Sequence, residues 1–145
     1  MVVDVPQLAS MSPDELDALF SESAPGEIPV GRTQGAVLVA PGTEIAWPAK
    51  RLIQWLVWRG KVFNPQKQDL LNVVGPLDLK SFRAKVYKEP SWFDGKETIV
   101  LDYSDTSLVA QWVRDEIREV APHLYLGLVF WERDKILHFS LQFDE

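Results

Sequence analysis

The chain contains no cysteine. Disulfide staples and thiolate metal centres are therefore excluded, and a reducing compartment fits. His123 and His138 are its two histidines, so a zinc site would need carboxylates, and no metal is expected. There is no G-x-G-x-x-G, no phosphate loop and no G-x-S-x-G. The common signatures of dinucleotide, nucleotide and α/β-hydrolase chemistry are thus missing, and no cofactor is expected. Long apolar runs are missing too. The longest, Leu124 to Trp131 counting its glycine, falls far short of the ~20 residues that cross a bilayer. Met1 to Ser10 has neither a basic start nor an apolar stretch, so no export signal is expected and the expected location is cytoplasmic.

The remaining features are those of a single soluble domain, residues 1–145, with 1–30 as an N-terminal helix and loop. The chain is 46% hydrophobic and 25% charged, the composition of a globular protein. A chain this long buries roughly two-thirds of the surface that its unfolded form exposes. The net charge of −6 is unevenly spread: residues 45–88 hold nine basic and two acidic residues, the rest six basic and nineteen acidic. Duplex nucleic acid is not an expected partner of so acidic a whole, but an anionic ligand or surface near the basic segment is. The alternative is that basic strands simply pair with acidic ones.

Met11-Ser12-Pro13-Asp14-Glu15-Leu16 is a helix start. Ser12 caps, Pro13 suits the first position, Glu15 completes a capping box, and the helix is predicted to run to about Ser21. Pro25-Gly26 and Pro29-Val30-Gly31 punctuate a loop before a first strand at about Arg32 to Ala40. A second helix is predicted over Trp47 to Trp58, with Leu52, Ile53, Leu56 and Val57 as its apolar stripe and Gly60 as its stop.

From Lys61 the period changes to two. Val62-Phe63, Leu70 to Val74, and Leu79 to Lys88 read as strands. In the last of these Phe82, Ala84 and Val86 face one way, and Arg83, Lys85 and Tyr87 the other. Trp92-Phe93-Asp94-Gly95 connects to a strand from Glu97 to Tyr103. Leu124 to Trp131 and Ile136 to Phe143 form a second hairpin around Glu132-Arg133-Asp134-Lys135. Leu124 to Trp131 is apolar on both faces, so it should be covered on both. Leu137, Phe139, Leu141 and Phe143 alternate with His138, Ser140 and Gln142 and should be buried.

Thr106 to Val120 reads as a helix with Val109, Trp112, Val113, Ile117 and Val120 on one face. Glu116 then falls within that stripe and needs a cation, Arg118 or Arg83, because an isolated buried carboxylate costs several kcal/mol. The alternative is a short helix to about Val113 followed by an extended stretch. The predicted fold is mainly β (α+β): a small antiparallel barrel or strongly curved sheet covered by two or three short helices.

Three constellations could carry function. Lys50 to Lys61, with its tryptophans between cationic ends, would suit a lipid-pocket lid or peripheral membrane contact; the alternative is an ordinary packed helix. Arg83, Tyr87, Asp102, Tyr125 and His138 with Gln142 would share one lumen if the sheet closes on the right face, orienting an apolar ligand by its polar end; the alternative is that this is the solvent face and the opposite face the core. Within that set His138 and Asp102 could act as an acid–base pair. Third, Glu116 is a candidate catalytic carboxylate, against the alternative of a structural ion pair.

Leu56-Val57-Trp58-Arg59-Gly60-Lys61-Val62-Phe63, with the hairpin-forming strands that follow and Leu124-Tyr125-Leu126-Gly127, resembles the lipocalin-like (calycin) barrels, in particular the small bacterial group with a G-x-W-x-G element. Leu56 stands where that element has its first glycine. The resemblance implies an up-and-down barrel with a hydrophobic pocket and Trp58 near the closed end; it names no ligand and no catalytic residue. The expected function is binding of a small hydrophobic or amphipathic molecule, anionic and fatty-acid-like, with Trp58, Arg59, Lys61, Arg83, Tyr87, Tyr103, Tyr125 and His138 as the binding candidates. The alternatives are a cofactor-independent isomerase or cyclase using His138, Asp102 or Glu116, and a protein-interaction module.

Overall fold

A computed structural model describes residues 4–38, 58–64, 69–74, 79–103 and 113–143, with some strand side chains left undescribed. Among these, two helices precede eight antiparallel strands: α1 (Val5–Ser10), α2 (Pro13–Glu22), β1 (Gly31–Leu38), β2 (Trp58–Asn64), β3 (Asp69–Val74), β4 (Leu79–Pro90), β5 (Glu97–Asp102), β6 (Val113–Ala121), β7 (Leu124–Trp131) and β8 (Asp134–Phe143). Each strand pairs with its neighbour in sequence, and β1 also pairs with β8, from Thr33 opposite Phe143 to Leu38 opposite His138. The result is a closed up-and-down barrel with no free sheet edge.

The helix boundaries follow from their caps. Ser12 accepts from the Glu15 N–H and Glu15 returns the bond to the Ser12 N–H, the expected capping box. α1 was not predicted, although Asp4 and Gln7 make the same reciprocal pair before it. With Pro6 in the first turn, that start is as legible as the one at Ser12.

Two readings are corrected. Residues 39–57 lie outside the described residues, but Trp58 opens β2 instead of closing a helix. The helix over Thr106 to Val120 is overturned as well: 113–121 is a strand, while 106–112 lie outside the described residues. Val113 and Ile117 sit four apart, a spacing that suits a helical turn and also two inward positions of a strand. Here tertiary pairing with β5 and β7 decides between them.

Two apolar clusters lie on opposite sides of the β6–β8 wall. The lumen holds Phe63, Ala84, Val86, Ile99, Leu101, Tyr103, Ile117, Tyr125, Phe139, Leu141 and Phe143. Outside, Leu8, Leu16 and Phe20 of the helices pack on Leu38, Leu124, Leu126, Leu128 and Phe130. Each such fully buried side chain contributes roughly 1.5–3 kcal/mol, which is what docks helices this short. β7 is thus covered on both faces, as its unbroken apolar run predicts. Leu137, Phe139, Leu141 and Phe143 are buried as expected, but so are His138 and Ser140, because the helices cover the outer face.

Candidate functional site

One end of the barrel is crossed by the chain that leaves α2. Residues 23–30 leave α2 and cross the end where β6 stops and β7 starts. There the Pro25 carbonyl accepts from the Glu119 N–H (3.2 Å) and the Glu27 carbonyl from the Tyr125 hydroxyl (2.7 Å). Gly26 has φ +72°, and a Cβ there would come within 2.8 Å of the Glu119 Cβ, so the crossing chain needs glycine at that point. Above this plug, the Phe143 ring packs between Phe63 (5.7 Å) and Tyr125 (5.5 Å). Burial and the nearby Glu119 and Glu27 push the Tyr125 hydroxyl up to about 12, so it remains a donor.

Toward the other end the described inward positions are less buried. Tyr125 and Gly127 of β7 are buried, whereas Val129 and Trp131 are half-buried; on β6, Ile117 and Asp115 are buried and Val113 is half-buried. Asp115 lies between Leu101 and Val129 in register. It brings a carboxylate, 4% exposed, to the inner wall, where the Tyr103 hydroxyl reaches it at 3.4 Å. At mid-depth Gly127 is paired with Phe139, whose ring tip fills the place of a side chain at 127.

The polar residues expected to converge in the lumen divide between its two faces. Tyr103 and Tyr125 are inside. Tyr87 and Asp102 are outside, bonded to each other at 2.7 Å, and burial and that carboxylate raise the Tyr87 pKa. His138 is also outside, where its Nε2 meets the Asp17 carboxylate of α2 at 2.7 Å and Lys135 binds the same carboxylate. Burial lowers the His138 pKa, with Asp17 pulling it partly back. His138 and Asp102 therefore do not form the acid–base pair, since each is held by a different partner; the strands' alternation allowed that pairing but closure turned the other face inward. The side chains of Trp58, Arg59, Lys61 and Arg83 lie outside the described residues, as does the proposed membrane-contact segment before Trp58.

Glu116 is a structural carboxylate. It lies on the outer face of β6, 0% exposed, under the turn that joins β4 to β5. It accepts from the Ser91 hydroxyl (2.5 Å), the Trp92 N–H (2.8 Å) and the Arg114 Nε (3.1 Å). The cation is Arg114, in place of the expected Arg118 or Arg83. Arg118, also 0% exposed, instead grips both oxygens of Asp94 (2.6 and 2.7 Å) and donates to the Phe20 and Lys96 carbonyls. That bond holds the Asp94 pKa down at about 2. Among the described residues no three His, Asp or Glu side chains stand together as a metal site would require.

The inward carboxylate of Asp115 is absent from the residues expected in the lumen. Once Glu116 faces out, Asp115 must face in, but that inference requires the strand assignment the periodicity obscured.

No family model matches the chain, and no curated protein matches it. It is similar in fold to a solved protein from Thermomonospora curvata, with a TM-score of 0.66, 16% identity, and coverage of 94% of this chain and 90% of that one. At that identity the likeness speaks for the fold alone.

Proposed function

We propose that the barrel binds one small hydrophobic or amphipathic molecule in its lumen, admitted at the end opposite residues 23–30. The observation that carries this reading is the gradient along the inner wall, from the packed Phe63, Tyr125 and Phe143 to the half-buried Val113, Val129 and Trp131. An eight-stranded barrel has an interior of the size that either side chains or one small ligand fill. The half-buried apolar side chains at one end favour the second use. Architecture and function then agree with the lipocalin-like resemblance, and kinship with those proteins is part of the proposal, as are a cytoplasmic setting and the absence of nucleic-acid partners. The basic excess of residues 45–88 favours an anionic head group.

Titration with dodecanoate and dodecanol, each displacing the neutral fluorescent probe N-phenylnaphthylamine, tests both parts. Binding of both is expected, with the acid favoured at low salt and the preference shrinking as salt rises. Equal affinity would remove the electrostatic part. Failure of the probe and both ligands to bind would contradict the reading.

A further inference from the structure

We infer that Asp94–Gly95 is this chain's site of spontaneous rearrangement to isoaspartate, and that Arg118 holds the site shut. Aspartate followed by glycine is the most reactive pairing for that chemistry, because no side chain shields the glycine nitrogen from the carboxyl group before it. The chain contains the pair once and has no Asn–Gly. Both residues are needed where they stand. Gly95 is exposed with φ +74°, a left-handed position in the β4–β5 turn. Asp94 supplies the carboxylate that partners the buried Arg118.

In the rearrangement the Gly95 nitrogen attacks Asp94 Cγ. An N–Cγ bond forms, a Cγ–O bond breaks, and the oxygen leaves as water with the amide and carboxyl protons. A second water reopens the five-membered imide at either carbonyl, giving aspartate or isoaspartate. The attack needs a neutral carboxyl group, since an ionised one does not release its oxygen, and a nitrogen free to turn toward it. The fold withholds both. Arg118 donates to Oδ1 (2.7 Å) and Oδ2 (2.6 Å), the Lys96 N–H to Oδ1 (2.9 Å) and the Ser21 hydroxyl to Oδ2 (3.2 Å). The Gly95 N–H is given to the Ser91 carbonyl (3.0 Å). Donors on both oxygens favour the ionised form. With the carboxyl lowered from 3.8 to about 2, its neutral fraction at neutral pH falls by more than about tenfold.

Rearrangement would undo the anchor that prevents it. In isoaspartate the main chain runs through the former side chain and is longer by one methylene, while the carboxylate sits directly on Cα. The two-point grip of Arg118 and the bond to Ser21 at the end of α2 are then lost together.

The test measures isoaspartate at position 94 by peptide mapping with electron-transfer fragmentation, after long warm incubation at neutral pH. The samples are folded wild type, wild type unfolded in guanidinium chloride, and Arg118→Lys and Arg118→Met, whose folding is verified by circular dichroism. Folded wild type is expected to rearrange at least about tenfold more slowly than the unfolded chain. Arg118→Met should approach the unfolded rate, with Arg118→Lys in between, because one ammonium cannot fork across both oxygens. Linkages such as Asp17–Ala18 and Asp134–Lys135 should not accelerate. Equal rates in folded and unfolded wild type would overturn the inference, as would a folded Arg118→Met as slow as wild type. Acceleration spread evenly over the other aspartates would mark general loosening and overturn it too. If Arg118→Met does not fold, Arg118→Lys decides, and a rate no faster than wild type counts against Arg118.

Discussion

The two faces of β6 are furnished in opposite ways. Outward, Arg114, Glu116 and Arg118 are 7%, 0% and 0% exposed; Arg114 is bound by the end of β4, Glu116 by the β4–β5 turn, and Arg118 by that turn and α2. Inward, Val113 and Ile117 flank Asp115 and face an apolar lumen. A buried ion pair is weak evidence of net stability, since desolvation offsets most of its attraction, yet losing one partner leaves a stranded charge. The outer row therefore acts as a fastening that fixes where the turn and α2 sit.

The largest effect expected on this contrast comes from Arg118→Met. It strands Asp94 and frees the Phe20 and Lys96 carbonyls, and should cost about 3–5 kcal/mol in urea unfolding. Ligand affinity measured below the transition should stay near wild type; a variant that kept its stability but lost binding would make the outer row functional. Leu141→Ala on the inner side should cost about 2–5 kcal/mol, because the residue is fully buried and leaves a cavity. Unlike the Arg118 variant, it should also alter the ligand size the lumen accepts.

Glu116→Gln removes the charge but keeps the shape. Arg114 retains Glu89 (2.7 Å) and the Pro90 carbonyl (3.1 Å), so the cost should be about 1–3 kcal/mol, with no change in ligand affinity. An unchanged stability would show that the turn does not cover Glu116 in solution.

Acid should weaken the outer contacts of α2 and of the β4–β5 turn in two stages. The folded His138 pKa lies below its ordinary 6.5, so the unfolded chain binds the proton more readily. That contribution to stability is complete above pH 6.5 and is lost as pH falls through the folded value. His138→Gln should flatten this limb, and an unchanged slope in the variant would assign it elsewhere. Asp94, lowered from 3.8 to about 2, contributes above pH 3.8 and loses that contribution as pH falls through its folded value. The smallest effect belongs to Tyr87→Phe, which removes one partly exposed bond to Asp102 on the outer face. A loss of about 0.5–1.5 kcal/mol and no change in binding are expected; weakened binding would put Tyr87 back at the ligand.

Most of the fold was legible because its signals are local. The Ser12 capping box, the alternation of Leu79 to Lys88 and of Glu97 to Tyr103, and the unbroken apolar run of β7 each report directly on backbone geometry and burial. β6 was misread because both of its faces are buried. Its outward charges are hidden under the turn, so the polar–apolar alternation that marks a strand is replaced by a mixture compatible with a helix. The site was less legible for the same reason. Which face of a strand turns inward depends on closure between β1 and β8, over a hundred residues apart in sequence, so Tyr87, Asp102 and His138 looked as available to the lumen as Tyr103 and Tyr125. Nor can a lone glycine in an apolar strand announce that a ring on the next strand fills its place.

The most direct test of the lumen as a binding site is native mass spectrometry of the protein purified without organic solvent. The account predicts that wild type carries a single small organic molecule, released by gentle collisional activation. Bare wild-type protein that also fails to take up dodecanoate, dodecanol or N-phenylnaphthylamine would contradict it.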